Sequence, residues 1–171
     1  MSDSPQQPQS TGANAQVQPP LTLHTQYVKD LSFESPNAPA VFGEAGQQAP
    51  QLDIQLNVGA RPLQQRIFEV VLDIEVTAKL PQDRTAFHVS LSYGCVVSLG
   101  PQVPEERFEG VLLVDCAAII FPFARRVIGD ATRDGGFPPV LINPVDFAGL
   151  LQQRRAQAQA AQAGAPASSI N

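Results

Sequence analysis

The chain has 171 residues, of which 43% are hydrophobic and 16% are charged, so one domain with a substantial apolar core is expected. Eleven Lys and Arg residues against 16 Asp and Glu residues give a net charge of -5. An acidic chain repels nucleic-acid phosphates, and no basic amphipathic segment is present that would bind an anionic membrane. The first residues also lack the basic and apolar regions of a signal peptide, which predicts a cytoplasmic protein.

Both ends of the chain differ in composition from the middle. Residues 1–20 are rich in Gln, Pro, Ser and Ala, which predicts a disordered tail. Residues 156–171 are rich in Ala and Gln and predict a second, flexible tail, so the folded domain is expected over 21–155. Inside it, Cys95 and Cys116 lie among apolar residues without ligand spacing, which predicts reduced core thiols and no metal site.

Four segments in the first 99 residues alternate apolar and polar side chains, the pattern of strands with one buried face. In the first segment the apolar residues fall at odd positions: Leu21, Leu23, Tyr27, Leu31 and Phe33. The other three segments cover about 52–58, 68–78 and 87–99. The sequence "PQDR" at 81–84 predicts a hairpin turn between the last two, and the four strands predict one antiparallel sheet.

From Pro104 the apolar spacing becomes helical, and Gly135 with Gly136 predicts the end of this long helix. Two apolar stripes run along the helix, the first formed by Phe108, Val111, Leu112, Ile119 and Phe123 and the second by Leu113, Ala117, Ile120 and Ala124. One sheet covers only one stripe, so the helix is expected to contact another subunit as well. We assign Leu113 and Ile120 to that subunit interface.

The long apolar segment is not a membrane span, because it is short and contains Asp115 and Pro122. A second, shorter helix is expected after it, with Asn143 as its cap and Pro144 at its first position. The whole pattern predicts an α+β fold.

No catalytic pattern appears around the two histidines, His24 and His88, and no cofactor motif is present. One alternative is an enzyme, a hot-dog-like acyl-CoA thioesterase, because that fold also wraps an antiparallel sheet around a long helix. Its helix precedes most of its strands, however, and Glu105 and Glu106 are the only candidate carboxylates at a helix start. Another alternative is an oligomeric scaffold that holds no other protein.

Three motifs resemble those of the SecB family of bacterial protein-export chaperones. The segment "YVKDLSFESPNAPAVF" at 27–42 is similar to the family's Tyr-x-Lys-Asp-aliphatic-Ser-Phe-Glu-x-Pro-Asn signature. "FPFAR" at 121–125 is similar to the family's "FPYAR". A third family segment is matched by Gly136, Phe137, Pro138, Pro144, Val145 and Phe147.

This resemblance, which covers about 21–152, implies a subunit with a four-stranded antiparallel sheet followed by a long helix and a shorter C-terminal helix. It implies assembly as a homotetramer, a dimer of dimers, through the long helix. It also implies an ATP-independent, cytoplasmic chaperone without cofactors. Such a protein keeps secretory precursors unfolded and delivers them to the SecA motor ATPase.

The resemblance also assigns residues. Asp30 and Glu34 match family positions that bind SecA, and their even spacing places both on one face of a strand. Ser90 departs from the family, since many members have a carboxylate there; this weakens the SecA contact or shifts it to a neighbour.

The client groove is the second surface that the resemblance implies. Val41 and Phe42 match the loop that borders this groove, although they also fit loop residues that fill the core. We add Phe147 and Leu151 of the last helix, because they are large apolar residues in a segment beside the sheet.

Overall fold

The computed structural model describes residues 19–45 and 49–163. Its sheet has the strand order β1-β4-β3-β2 with antiparallel neighbours: β1 Leu21–Glu34, β2 Gln51–Gln64, β3 Ile67–Leu80 and β4 Arg84–Leu99. The helices are α1 Ala40–Ala45, α2 Phe108–Gly110, α3 Ala117–Asp134 and α4 Phe147–Ala163. A 3-10 turn, Glu105–Arg107, precedes α2, and a π-helical segment, Val111–Cys116, joins α2 to α3, so 105–134 forms one long helix. The predicted α+β class and four-stranded sheet are confirmed.

One face of the sheet, here called the inner face, packs against the long helix. The central strands β3 and β4 are buried there with the predicted period of two, through even-numbered residues from Val70 to Leu80 and odd-numbered residues from Phe87 to Leu99. Cys95 and Cys116 meet in this core as free thiols, with 3.4 Å between their sulfur atoms. The opposite, outer face carries mainly polar side chains.

The edge strand β1 departs from strict alternation at two β-bulges. Its pairing with β4 passes from Leu23↔Val97 to Thr25↔Val96, and from Val28↔Tyr93 to Asp30↔Ser92, so His24 and Lys29 are extra residues. A bulge reverses the alternation of side chains along the strand. Tyr27 therefore lies on the outer face, and its predicted place in the buried stripe is wrong. The second bulge returns the following residues to the predicted faces.

Leu31 lies on the inner face, as the alternation predicts, but the residue is 43% exposed. The predicted burial of Leu31 is therefore wrong for the single subunit. The physical reason is its place on an edge strand, since the long helix packs mainly over the two central strands.

Within α3, the long helix buries the apolar stripe from which we assigned Ile120 to a subunit interface. Ala117, Ile120 and Ala124 have no exposed surface, whereas Ile119 is 47% and Phe123 is 44% exposed. The prediction that Ile120 contacts another subunit is therefore wrong, because this side chain is enclosed by its own subunit.

The ends of the helices follow from local capping groups. Gly135 ends α3 as predicted, with its N–H donating to the carbonyl of Ala131 at 2.9 Å. The predicted start of the last helix at Asn143 is wrong, because the carboxylate of Asp146 accepts the Gly149 N–H at 2.9 Å and caps α4 there. Helix α4 extends past the expected domain boundary at 155, so the first part of the predicted tail 156–171 is helical up to 163. The rest of that tail, 164–171, and residues 1–18 of the predicted tail 1–20 lie outside the described residues.

Candidate functional site

The outer face carries carboxylates in register across neighbouring strands. Asp30 on β1 lies opposite Ser92 on β4, which in turn lies opposite Asp73 on β3. Glu34 lies opposite His88, at the end of the β1–β4 pairing. Asp30 and Glu34 are both exposed and lie on one face, where the sequence pattern placed them.

Glu75 adds a carboxylate beside the position where Ser90 lacks one. The two residues are direct partners in the β3–β4 ladder, so their side chains lie about 5 Å apart on the same face. Glu75 is exposed, and Asp73 accepts a hydrogen bond from the Ser92 hydroxyl at 2.6 Å. The sequence pattern indicated only a solvated charged face for Asp73 and Glu75. The strand pairing places Asp73 in the row of Asp30 and Glu75 beside Ser90.

Glu69 is a buried carboxylate on the outer face, with only 3% of its surface exposed. It accepts hydrogen bonds from the hydroxyl of Tyr27, from the ammonium of Lys29, whose Nζ lies 3.1 Å from both carboxylate oxygens, and from the Arg61 guanidinium. We call these four residues the Glu69 cluster. Because Tyr27 and Lys29 lie on β1, Glu69 on β3 and Arg61 on β2, the cluster joins both edge strands to the centre of the sheet.

The electrostatics of the Glu69 cluster follow from these bonds. Hydrogen bonds from Arg61 and then from Tyr27 lower the pKa of Glu69 to about 2. The bond to Glu69 is also the main cause that raises the pKa of Tyr27 to about 12. Glu69 is therefore ionised and Tyr27 neutral throughout the physiological range.

Gly94 on β4 forms the floor under the Tyr27 ring. A Cβ atom at Gly94 would lie 2.9 Å from Cζ of that ring, closer than two carbon atoms can approach. Any larger residue at this position would therefore displace the Tyr27 ring. The sequence pattern did not reveal the Glu69 cluster, because strict alternation placed Tyr27 in the core.

A groove of about 240 Å³, here called the α4 groove, lies between α4, the edge strand β2 and the π-helical segment. Its lining includes Leu56, Val58, Leu113, Phe147, Leu150, Leu151 and Arg154. Phe147 and Leu151 were predicted to line a client groove, and both do line this one. Phe147 is nevertheless mostly buried and packs edge-on against Phe121, with 5.8 Å between ring centroids. Leu113, assigned from sequence to a subunit interface, also faces this groove.

Two arginines connect α4 to the rest of the subunit. Arg154 donates to the carbonyl of Val58 on β2 at 2.9 Å and also bonds the side chain of Asn57. Arg155 pairs with Glu109 of α2. These contacts hold α4 against β2 and against the start of the long helix.

Val41 and Phe42 lie elsewhere, in α1 near the other end of the sheet. Val41 is only 1% exposed, so the alternative that it fills the core is correct, and its predicted place in a groove is wrong. Phe42 is 44% exposed, and its ring centroid lies 5.1 Å from that of Phe137. It offers apolar surface, but it does not join the lining of the α4 groove.

Within 19–45 and 49–163, no helix is long and apolar enough to cross a membrane. The same ranges contain no group of three His, Cys, Asp or Glu residues placed to hold a metal ion. Glu105 and Glu106, which the thioesterase alternative would need, are both solvent-exposed in the 3-10 turn before α2.

Comparison with known proteins gives one consistent family. Residues 14–158 match the sequence model of the family described as "SecB: Preprotein translocase subunit SecB". "Protein-export protein SecB" of Parvibaculum lavamentivorans is 46% identical over 154 residues, 90% of this chain and 90% of the relative. The protein of the same name from Azorhizobium caulinodans is 50% identical over 136 residues, 80% of this chain and 83% of the relative.

A solved structure shares the fold. A SecB-like chaperone of Mycobacterium tuberculosis, solved in complex with a ChAD peptide from an antitoxin, superposes with a TM-score of 0.62 at 11% identity. The match covers 74% of this chain and 91% of that chain. Because the matched family consists of chaperones, the thioesterase alternative is wrong.

The Glu69 cluster predicts a stability contribution that depends on acid pH. The Glu69 carboxyl has an ordinary pKa of 4.5 and a folded pKa of about 2, so its contribution is complete above pH 4.5 and is lost as the pH falls towards 2. The difference in free energy of unfolding between wild type and Glu69→Gln should therefore be constant from pH 6 to 8 and shrink between pH 4.5 and 2. Urea denaturation at each pH measures it.

Asp83→Asn is the charge-matched control, because the Asp83 carboxylate lies in an exposed ion pair with Lys79. Between pH 6 and 8 it should change the free energy of unfolding much less than Glu69→Gln does. The prediction would be contradicted if the difference in free energy of unfolding between wild type and Glu69→Gln stayed constant down to pH 2.5.

Proposed function

Because the chain belongs to the SecB family of protein-export chaperones, we propose that it holds secretory precursors unfolded in the cytoplasm, without ATP, and passes them to the SecA motor. The observation that carries this proposal is the separation of two surfaces on one subunit. The α4 groove, which offers apolar side chains such as Leu56 and Leu150, opens beside the inner face. The exposed carboxylates of Asp30, Glu34 and Glu75, here called the acidic row, lie on the outer face. A client and a motor can therefore bind the same subunit together.

The α4 groove suits an extended apolar segment of an unfolded client. Leu52 and Ile54, both exposed, precede Leu56 at alternate positions on the inner side of β2 and continue the apolar lining along this strand. Three such residues cover about 14 Å, the length of four residues of an extended chain. A bound segment would bury apolar side chains at each step without needing one particular sequence. The peptide-bound structure of the mycobacterial SecB-like chaperone supports the assignment of peptide binding to this fold.

We expect Leu150→Ser to weaken client holding without unfolding the protein, because Leu150 lines the α4 groove and is only half-buried. Losing part of one leucine contact should weaken binding of an unfolded precursor about fivefold. Titration of the chaperone against a fluorescently labelled, unfolded secretory precursor measures this change. Phe147→Ser should instead destabilise the fold, since Phe147 packs in the core.

Leu141→Ser serves as the matched control, because Leu141 is exposed and does not line the α4 groove. Equal effects of the two leucine substitutions would contradict the client site. A wild-type protein that fails to suppress aggregation of the precursor would support the scaffold alternative instead.

The acidic row suits a basic partner such as the C-terminal tail of SecA. Asp30 and Glu34 are exposed on β1, and Glu75 supplies a third carboxylate next to Ser90. Exposed carboxylates attract a basic partner over several ångströms and raise its association rate at low salt. Glu75 on β3 would then make the contact with SecA that a carboxylate at position 90 makes in other family members.

Replacing Asp30 and Glu34 together with Ala should weaken SecA binding, most strongly at low salt, and leave client holding unchanged. Each exposed charge should contribute about threefold to affinity. Titration of purified SecA against both proteins at two salt concentrations measures the change in affinity. The single substitution Glu75→Ala should weaken binding about threefold as well. Equal affinity of wild type and the double variant at both salt concentrations would show that SecA docks elsewhere.

Exposed apolar residues of the long helix support assembly into a homotetramer. Ile119 and Phe123 lie on the side of α3 that faces away from the sheet, and Val28 and Leu31 leave a second apolar patch on the edge strand β1. Covering both patches would remove large apolar side chains from water. Two different patches per subunit allow two different interfaces, as a dimer of dimers needs.

We expect Ile119→Glu to lower the native mass of the assembly while the far-UV circular dichroism stays that of wild type. An unpaired carboxylate inside an interface costs several kcal/mol. Ile120→Glu, one residue further along the same helix, should instead unfold the subunit, because Ile120 is fully buried. A monomeric wild type, or an Ile119→Glu protein that keeps the wild-type mass, would contradict the proposed interface.

A further inference from the structure

We propose that Glu69 is a positioning residue for Asp30: by binding Lys29, it fixes the β-bulge that decides where Asp30 presents its carboxylate. Lys29 is the extra residue of this bulge, and Asp30 follows it directly. The inference rests on the proposed SecA surface, to which Asp30 belongs. It concerns a buried residue that has no access to a partner itself.

The register of β1 needs such a device because no hairpin connects β1 to its neighbour β4. The pairing covers seven residue steps on β1, from Leu23 to Asp30, against five steps on β4, from Val97 to Ser92. A slip by two residues would keep every side chain on its face, so the apolar pattern alone does not exclude it. Such a slip would move a carboxylate about 7 Å along the sheet.

The two ends of the acidic segment of β1 are held by different groups. After Glu34, the Ser35 hydroxyl donates to the carbonyl of Ala86 and the Asn37 amide donates to that of Thr85, both at 2.8 Å. Before Asp30, the nearest side-chain contacts that hold the strand are the bonds from Lys29 and Tyr27 to Glu69. Further from Asp30, Gln26 accepts from the Tyr93 hydroxyl at 3.4 Å and His24 contacts the Ser98 hydroxyl at 2.9 Å. Glu69 should therefore control the position of Asp30 and leave that of Glu34 unchanged.

The carboxylate of Glu69 is needed because its two oxygens serve three donors, Tyr27, Lys29 and Arg61. An amide at this position has only one acceptor oxygen and turns an N–H₂ donor towards the other donors. In Glu69→Gln, Lys29 loses its counter-ion. Its ammonium then lies free beside Asp30, where it can pair with that carboxylate and remove it from the acidic row.

The test is a set of double-mutant cycles with purified SecA as the probe and the full chain as the chaperone. Glu69→Gln should weaken SecA binding about threefold, as Asp30→Ala does. Adding Asp30→Ala to Glu69→Gln should cause no further loss of SecA affinity. Adding Glu34→Ala to Glu69→Gln should lower the affinity by the product of the two single effects. A general weakening of the fold would not distinguish Asp30 from Glu34.

Two further variants separate the mechanism from a change of charge. Gly94→Ala should weaken SecA binding in the same direction as Glu69→Gln but less, because its methyl group displaces the Tyr27 ring and removes one of the three donors to Glu69 without changing any charge. Asp83→Asn removes the same charge as Glu69→Gln from another lysine pair and should bind SecA as wild type does. The proposal would be overturned if Glu69→Gln bound SecA with wild-type affinity. It would also be overturned if adding Asp30→Ala and adding Glu34→Ala to Glu69→Gln lowered the SecA affinity equally.

Hydrogen exchange tests the positioning role even if SecA docks elsewhere. If Asp30→Ala and Glu34→Ala both leave SecA affinity unchanged, the proposed SecA surface is wrong, but the bulge can still be measured. Within 28–31, the backbone amides of β1 that are hydrogen-bonded to β4 should then exchange at least about tenfold faster in Glu69→Gln, while those within 32–34 keep their wild-type rates. Unchanged rates within 28–31 would overturn the positioning role.

Discussion

The buried carboxylate of Glu69 is the constraint on which the outer face of the sheet depends. A buried charge costs several kcal/mol unless it is paired and hydrogen-bonded, so Glu69 requires its donors from β1 and β2 to be in place. Tyr27 can reach it only because a bulge turns the ring outward and because Gly94 leaves room for the ring. The register of β1, the glycine on β4 and the ion pairs of β3 are therefore one coupled arrangement.

The widths of the elements explain why apolar surface remains on the inner face. A helix with its side chains is about 10–12 Å wide and neighbouring strands are about 4.8 Å apart, so one helix covers roughly two strands. The long helix covers β3 and β4, which leaves Leu31 on one edge strand and Leu52 and Ile54 on the other exposed. Helix α4 covers only part of β2. The exposed apolar groups are thus a geometric consequence of having four strands under one long helix.

Local patterns predicted much of this architecture, because they depend on a few neighbouring residues. Alternation defined β3 and β4, and Gly135 marked the end of α3. The same patterns failed where tertiary contacts decide. Alternation does not reveal a pair of bulges that cancel, so Tyr27 was misplaced. A helix with two apolar stripes does not show which one meets the sheet, so Ile120 was assigned to a subunit interface although it is buried within its own subunit.

Binding residues on a sheet form a two-dimensional pattern, and a motif within one strand records only one line of it. Ser90 and Glu75 are 15 positions apart in sequence but directly opposed in the ladder. A carboxylate can therefore move from β4 to β3 while the charge facing a partner stays within about 5 Å of its place. Sequence alone shows the loss at Ser90 as a missing contact. The strand register shows a carboxylate, Glu75, directly beside Ser90 on the same face, and Asp30, Ser92 and Asp73 form the next cross-strand row.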